Sequence, residues 1–218
     1  MRREILLKII LVGPPGSGKG TQAGHIASMF GVNSVSSGDL FRDNLAKNTE
    51  LGKLAKDFMD KGEYVPDEVT IDMVMGWIED PTHSSGFVLD GFPRTLAQAE
   101  ALESRLLGSG GIDRVLFFNV DEEALVDRLS GRLICRGCHM PYHIKFSPPL
   151  ITDQCNSCGG GLYQRDDDKV EVIRNRFKVY MQETEPLVKH FRESGNLREI
   201  DASMGINDVK RAIERAVR

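Results

Sequence analysis

Gly13-Pro14-Pro15-Gly16-Ser17-Gly18-Lys19-Gly20-Thr21 follows an apolar run, Ile5 to Val12, that is interrupted only by Lys8. That order reads as a buried strand, a glycine-rich turn and a helix, and Gly13, Gly18 and Lys19 fit the spacing of a phosphate-binding loop. Glycines let backbone N–H groups converge on an anion that side chains would keep at a distance. The helix that opens at Gly20 adds its positive dipole end, and Lys19 adds a full charge. Gly20, not Ser or Thr, follows the lysine, and Thr21 comes one residue later. The usual hydroxyl ligand for Mg²⁺ is therefore missing from its usual place. The metal would be held mostly by phosphates, water and a carboxylate elsewhere.

Working outward, the 218 residues suffice for one large α/β domain with insertions and a substantial core. The net charge of −4 carries no global basic bias, which argues against nucleic acid as the main partner. Met1-Arg2-Arg3-Glu4 before an apolar run resembles the start of a signal peptide. The run is short, contains Lys8 and ends in the glycine loop, so a central parallel strand is the better reading. No stretch reaches the ~20 apolar residues of a membrane span. The four cysteines fall in two close pairs, read as reduced metal ligands in a cytoplasmic protein.

The remaining elements alternate. Helix is expected over Thr21–Phe30 with Gly31 as its stop, and strand over Val32–Ser36. Ser36 or Ser37 can cap a following helix, and Thr49 another, Glu50–Lys61, that ends at Gly62. Pro66 opens a further helix with Asp67 and Glu68 in its first turn. Phe87-Val88-Leu89-Asp90-Gly91 is an apolar strand ending in a carboxylate. Ligands of open α/β sheets bind beyond such strand ends, which places Asp90 near the glycine loop, where it would hold Mg²⁺ through water. Thr95 and Gln98 form a capping-box pattern before a helix, Leu96–Leu107. Strand Arg114–Val120, a helix capped by Asp121 and ending near Leu129, a long helix Val170–Ser194 bent at Pro186, strand Leu197–Ile200 and helix Ile206–Val217 complete the chain. The expectation is an α/β fold: a five-stranded parallel sheet with helices on both faces, plus a helical insert and a small metal-binding lobe.

That lobe carries the cysteines. Cys135-Arg136-Gly137-Cys138 and Cys155-Asn156-Ser157-Cys158 are separated by sixteen residues, the pattern of a four-cysteine zinc site. Four thiolates close the tetrahedron, so the site should be structural. Disulfides, a redox pair or free thiols are the weaker readings. His139 and His143 are expected to be surface or nucleotide-contacting groups, since the cysteines satisfy the metal. Residues 131–168 hold too few apolar side chains to fold alone, and metal ligation can supply the missing stability.

Arg42, Arg94, Arg128, Arg132, Arg165 and Arg176 sit at element ends or in the inserts. One arginine is ordinarily a solvated surface group. Several converging on a phosphate loop would supply what phosphoryl transfer needs, positive charge around an in-line transfer between two held substrates. With this set, the chain resembles the adenylate kinase family of the long bacterial type with a zinc-binding lid. The resemblance covers nearly the whole chain. Its signatures are Gly13 to Gln22, Ser37-Gly38-Asp39-Leu40-Phe41-Arg42, and Asp90-Gly91-Phe92-Pro93-Arg94-Thr95 with Gln98. The shifted Thr21 is the family's own loop variant.

The resemblance implies the reaction ATP + AMP ⇌ 2 ADP with Mg²⁺, by direct in-line transfer in a monomer. It implies a core of residues 1–35, 66–130 and 169–218, an AMP-binding insert over 36–65 and a zinc lid over 131–168. Gly16, Ser17, Gly18, Lys19, Gly20 and Thr21 would cradle the ATP phosphates. Arg128 and Arg132 would hold ATP from the base of the lid, Pro141 and Tyr142 from the lid, and Met204 through its carbonyl on the adenine. Ser37, Arg42 and the Glu63-Tyr64-Val65 backbone would line the AMP site. Gly91, Phe92, Pro93 and Arg94 would clamp the AMP phosphate, and Gln98 would read the adenine edge. Arg165 and Arg176 would grip both nucleotides' phosphates. Ser37 stands where threonine is common in the family, and the hydroxyl is kept. A kinase for UMP, CMP or GMP is the nearest rival, and Gln98 after Arg94-Thr95 argues against it. A zinc-ribbon binding module that uses ATP as a switch is the rival of another class, and the acidic balance and the full arginine set argue against that.

Overall fold

The computed structural model describes residues 7–217; Ile5 and Leu6, the expected start of the first strand, lie outside the described residues. Five strands form one sheet: β1 (Leu7–Val12), β2 (Asn33–Ser36), β3 (Gly86–Asp90), β4 (Arg114–Asn119) and, after the lobe, β8 (Leu197–Asp201). Their order is β2-β3-β1-β4-β8 and every pairing is parallel. The run Ile9-Ile10-Leu11-Val12 is buried throughout, because successive side chains point to opposite faces and both faces are covered. Ile10 and Val12 pack on one side with Phe87, Leu89, Leu102 and Phe191. Ile9 and Leu11 pack on the other with Ile26, Val88, Leu116 and Ile213. Each such side chain contributes about 1.5–3 kcal/mol by burial.

The helices are α1 (Lys19–Phe30), α2 (Ser37–Ala46), α3 (Glu50–Met59), α4 (Asp67–Glu79), α5 (Leu96–Leu106), α6 (Glu122–Ser130), α7 (Val170–Val179), α8 (Glu185–Glu193) and α9 (Ile206–Val217). Thr49 caps α3 by accepting from the Gly52 N–H, as its sequence position suggests. The long helix expected over Val170–Ser194 is interrupted differently from expectation. A π-helical turn, Tyr180–Thr184, lies just ahead of Pro186 and joins α7 to α8. Proline has no N–H to donate and its ring crowds the carbonyl four residues back; widening the preceding turn relieves both. None of the helices among the described residues is long and apolar enough to cross a membrane.

Residues 132–163 add three short antiparallel strands that the sequence pattern did not indicate: β5 (Arg132–Cys135), β6 (Pro141–His143) and β7 (Leu162–Tyr163), in the order β6-β5-β7. Their apolar centre is small, Cys135, Tyr142 and Cys155 with Leu133 and Leu162 at its margin.

Candidate active site

The glycine loop joins β1 to α1 at the carboxyl edge of the sheet. Gly18 precedes α1 at φ 91, a left-handed conformation in which a side chain would be strained, and no side chain among the described residues caps the helix. The first N–H groups of α1 are thus left to an anion. Lys19 is turned back over the loop: its Nζ donates to Gly13 O at 2.6 Å, Pro14 O at 2.9 Å and Ser17 Oγ at 3.2 Å. A Cβ on Gly20 would stand 3.3 Å from Asp90 Oδ2, so the missing hydroxyl residue there leaves the space to the strand-end carboxylate.

Beyond β3, Gly91 O accepts from Ser37 Oγ at 2.6 Å and from Arg94 Nε at 2.8 Å. Gly91 adopts φ 72, and a Cβ there would lie 2.8 Å from Arg94 Nη2, so no other residue lets that guanidinium fold onto the turn. Tyr64 lies under the Arg94 guanidinium, 5.0 Å from ring centroid to Cζ. Thr184 Oγ1 meets Tyr64 Oη at 2.7 Å and donates to Arg94 O at 2.8 Å.

These groups surround one cleft of about 260 Å³. Its wall includes Gly16, Gly18, Lys19, Gly20 and Thr21; Ser37 and Arg42; Glu63, Tyr64 and Val65; Asp90, Gly91, Pro93, Arg94 and Gln98; and Arg132, Pro141, Arg165 and Arg176. The structure thus brings together most of the residues singled out from sequence. Several stand apart. Ser17 is buried behind the loop, and the Phe92 side chain is in the core. Arg128 lies outside the cleft wall and donates to Ala202 O and Ser203 O; Met204, next in that loop, is likewise outside it. The Tyr142 side chain turns away from the cleft toward the cysteines, where its hydroxyl accepts from the Asn156 N–H at 2.8 Å and lies 3.3 Å from Cys155 Sγ.

Lys19, Arg42, Arg94, Arg132, Arg165 and Arg176 face Asp39, Glu63, Asp90 and Asp167 across this wall, leaving the cleft cationic inside an acidic chain. Burial, opposed by Asp90 and reinforced by Arg94, Arg176 and Arg132, lowers Lys19 to about 8. Burial lowers Arg165 to about 10, with Arg132 and Arg42 adding to the effect, and its Nε has no hydrogen-bond partner among the described residues. Burial raises the Asp90 carboxyl, against the pull of Lys19 and Arg94. The cations are thus imperfectly compensated and suited to multiply charged anions.

Their acidic partners were not singled out from the sequence. Arg132 makes a two-pronged pair with Asp168, Nε to Oδ2 at 2.8 Å and Nη2 to Oδ1 at 2.5 Å. Arg176 Nη1 reaches Asp168 Oδ1 at 3.2 Å and Asp167 Oδ2 at 3.0 Å. Arg42 Nη2 donates to Asp39 Oδ1 at 2.5 Å. The Asp166-Asp167-Asp168 run was the available signal, since an acidic triplet beside so many arginines is a natural counter-charge.

In the lobe, Cys135, Cys138, Cys155 and Cys158 offer sulfurs that all lie within 4.8 Å of one another. Cys135 and Cys158 stand 3.4 Å apart, Cys138 and Cys155 3.5 Å. Four sulfurs about 2.3 Å from a central zinc would stand roughly 3.8 Å apart, so the group fits the ion. Backbone N–H groups of Gly137 and Ser157 point at Cys135 and Cys155. His143 corrects the expectation of a surface or nucleotide-contacting ring. It is buried, its Nε2 meets Asp127 O at 3.0 Å, and its Nδ1 accepts from the Lys145 and Phe146 N–H groups. It braces β6 against the end of α6.

Comparison with known proteins agrees with this geometry. The adenylate kinase family model matches residues 11–196. An adenylate kinase of Archaeoglobus fulgidus is 48% identical over 209 residues, 95% of this chain and 96% of its own. One of Carboxydothermus hydrogenoformans is 47% identical over 212 residues, 97% and 99% of the two chains. One of Lachnospira eligens is 45% identical over 208 residues, 95% and 98%. With a matching phosphate loop, a cationic cleft beyond the sheet edge and relatives aligned over almost their full length, this chain belongs to the adenylate kinase family.

Proposed function

We propose that the chain catalyses reversible, Mg²⁺-dependent phosphoryl transfer from ATP to AMP, giving two ADP. The observation that carries this is the convergence of Lys19, Arg94, Arg132, Arg165 and Arg176 on one cleft whose wall includes both the phosphate loop and Gln98, Val65 and Met59. Two phosphate chains meeting in the middle of that cleft would be surrounded by positive charge where it develops in transfer.

ATP phosphates would lie against the loop N–H groups and the start of α1, with Lys19 leaving its carbonyl partners to follow the transferring group. Arg94, fixed on Gly91 and Tyr64, would hold the acceptor phosphate. The apolar end of the cleft with Gln98 would hold the AMP base. Arg132 and Arg176, oriented by Asp168 and Asp167, would sit over the phosphates and help exclude water. Asp90 beside Gly20 is the carboxylate suited to hold Mg²⁺ through water; the ion would neutralise charge on the ATP phosphates.

The inserts over 36–65 and 131–168 would be the parts that close on the two nucleotides. The four cysteines would hold a structural Zn²⁺. A monomeric cytoplasmic protein suits four reduced thiols. The test is ADP formation from ATP with AMP, CMP, GMP and UMP in turn. Preference for AMP by at least tenfold is expected; preference for a pyrimidine monophosphate would replace the proposed acceptor, and absence of ADP with every monophosphate would end the proposal.

A further inference from the structure

Gln98 is 1% exposed, yet it lines the cleft, whose wall also includes the uncharged Met59, Val65 and Thr70. Its amide is held at both ends. Oε1 accepts from the Arg94 backbone N–H at 2.8 Å, and Nε2 donates to Asp67 Oδ1 at 2.6 Å. Asp67 is itself fixed, because its Oδ2 accepts from Thr95 Oγ1 at 2.8 Å. Thr95 Oγ1 in turn accepts from the Gln98 N–H at 3.2 Å, closing the network on α5.

An amide is nearly symmetric in shape, so its orientation is set by what surrounds it. Turned over, Gln98 would point its N–H₂ at the Arg94 N–H and its oxygen at the Asp67 carboxylate. That sets donor against donor and acceptor against acceptor. In the observed orientation each end keeps one free site, an N–H and an oxygen lone pair.

We infer that Asp67 is a specificity-positioning residue: it locks the Gln98 amide in the orientation that suits a 6-aminopurine and opposes a 6-oxopurine. This rests on the proposed seat of the AMP base at Gln98. Adenine offers a donor at its 6-amino group and an acceptor at the adjacent ring nitrogen. A 6-oxopurine inverts both, with an acceptor oxygen and a ring N–H. Matching the inverted edge requires the amide to turn over, which the carboxylate resists. A buried site left with mismatched polar partners rejects the wrong base far more strongly than an apolar pocket does. The capping-box pattern hid this role, since Thr95 and Gln98 alone account for a helix start and Asp67 lies on a different helix.

The experiment compares kcat/KM for AMP with that for inosine monophosphate in wild type, Asp67→Asn, Asp67→Ser and Gln98→Leu, with melting temperatures alongside. An Asn side chain can donate to a turned-over Gln98. We expect Asp67→Asn to reduce the AMP preference about tenfold, mainly through the two KM values, and Gln98→Leu to reduce it at least as much. Asp67→Ser removes the carboxylate, and its one shorter hydroxyl cannot hold both Gln98 Nε2 and Thr95 Oγ1; it should act in the same direction, and it serves if Asp67→Asn is too unstable to assay. If Asp67 only supports the start of α4 through its charge, both variants lower the melting temperature and slow both substrates alike. An unchanged preference in the Asp67 variants with a reduced one in Gln98→Leu overturns the inference and leaves the base seat standing. An unchanged preference in Gln98→Leu overturns the seat, and the inference with it.

Discussion

The Lys19 ammonium donates to the Gly13 carbonyl at 2.6 Å, so the charge is folded back on the loop that presents it. Nucleotide phosphates must compete with three oxygen partners for it, and they do so with far greater charge. Lys19→Met is expected to cut kcat by 10²–10³ or more, the scale of losing one preorganised charge in a transition state. The nucleotide-free variant should melt no lower than wild type, because it no longer holds a charge that burial disfavours. Near-normal turnover in this variant would remove Lys19 from the chemistry.

A pH dependence follows from the same residue. Burial places Lys19 at about 8 in the folded chain, below the 10.5 of an unperturbed lysine. The free protein therefore loses this charge as pH rises through about 8, and kcat/KM should fall on that limb. Bound phosphates favour the charged form, so the corresponding limb in kcat should lie higher. For stability the sign is opposite. Between about 8 and 10.5 the unfolded chain binds the proton and the folded chain does not, so stability rises with pH across that window. Lys19→Met should lack this rise. Matching urea midpoints of the two proteins at pH 7.5 and pH 10 would be the informative comparison.

Arg165 Nη2 stands 3.4 Å from Asp39 Oδ1, joining the end of the lobe to α2 of the helical insert. Burial alone would raise the Asp39 carboxyl; Arg42, pairing and hydrogen-bonding, and Arg165 outweigh it and leave the carboxyl below its usual range. Asp39→Ala should leave Arg42 and Arg165 splayed by mutual repulsion. KM for AMP is expected to rise several-fold with a smaller loss in kcat, since misplaced acceptors react slowly. Two adenosines joined by five phosphates should protect residues 37–59 and 132–163 from hydrogen exchange in wild type and protect them less in the variant. Protection restricted to residues 13–21 would contradict closure of both inserts.

Much of this arrangement was legible because buried strands advertise themselves. Ile9 to Val12 and Phe87 to Leu89 are apolar without alternation, and only a sheet covered on both faces asks for that. The lobe strands were not legible, since β5, β6 and β7 are only four, three and two residues long, too short to show a period, and of the cysteines only Cys135 lies in one of them. At the site, loop glycines and arginines declare themselves by type. Their acidic partners do not, because Asp168 pairs with Arg132 across 36 positions of chain. Met204 and Tyr142 came from the resemblance alone and Arg128 from its residue type, and the side chains of all three lie outside the cleft wall.

The π-helical turn carries a prediction of its own. Thr184 closes that turn and bridges Tyr64 Oη to Arg94 O, and both bonds are short. Thr184→Val keeps the shape, removes the hydroxyl and leaves two half-buried polar groups without that partner, at a cost of about 1 kcal/mol. Arg94 should then be held less firmly. A larger KM for AMP, with KM for ATP little changed, is expected. Equal effects on both substrates would mean that Thr184 serves the fold alone.

The cysteine cluster should matter for heat resistance and not for the reaction. None of its sulfurs borders the cleft, and Arg132 and Pro141, which do, are carried on strands that the cluster ties together. Tyr142 sharpens this, because its hydroxyl packs on Cys155 and on the Asn156 N–H, coupling β6 directly to the second cysteine pair. Cys155→Ser weakens one ligand of a closed site, so the lobe should loosen and the melting temperature fall by several degrees or more. The five-stranded sheet should still form, since its two apolar faces draw nothing from residues 132–163. Well below the melting point and with saturating ATP, the variant should keep a substantial fraction of wild-type turnover. Purified protein should contain one zinc per chain, and removing it with a chelator should reproduce the Cys155→Ser phenotype. Tyr142→Phe should lie between the two, retaining zinc but melting lower, because the cluster keeps its ligands and loses its brace to β6. If chelation abolished low-temperature turnover while hydrogen exchange showed the lobe still folded, the metal would belong to the chemistry, and the structural role would be wrong.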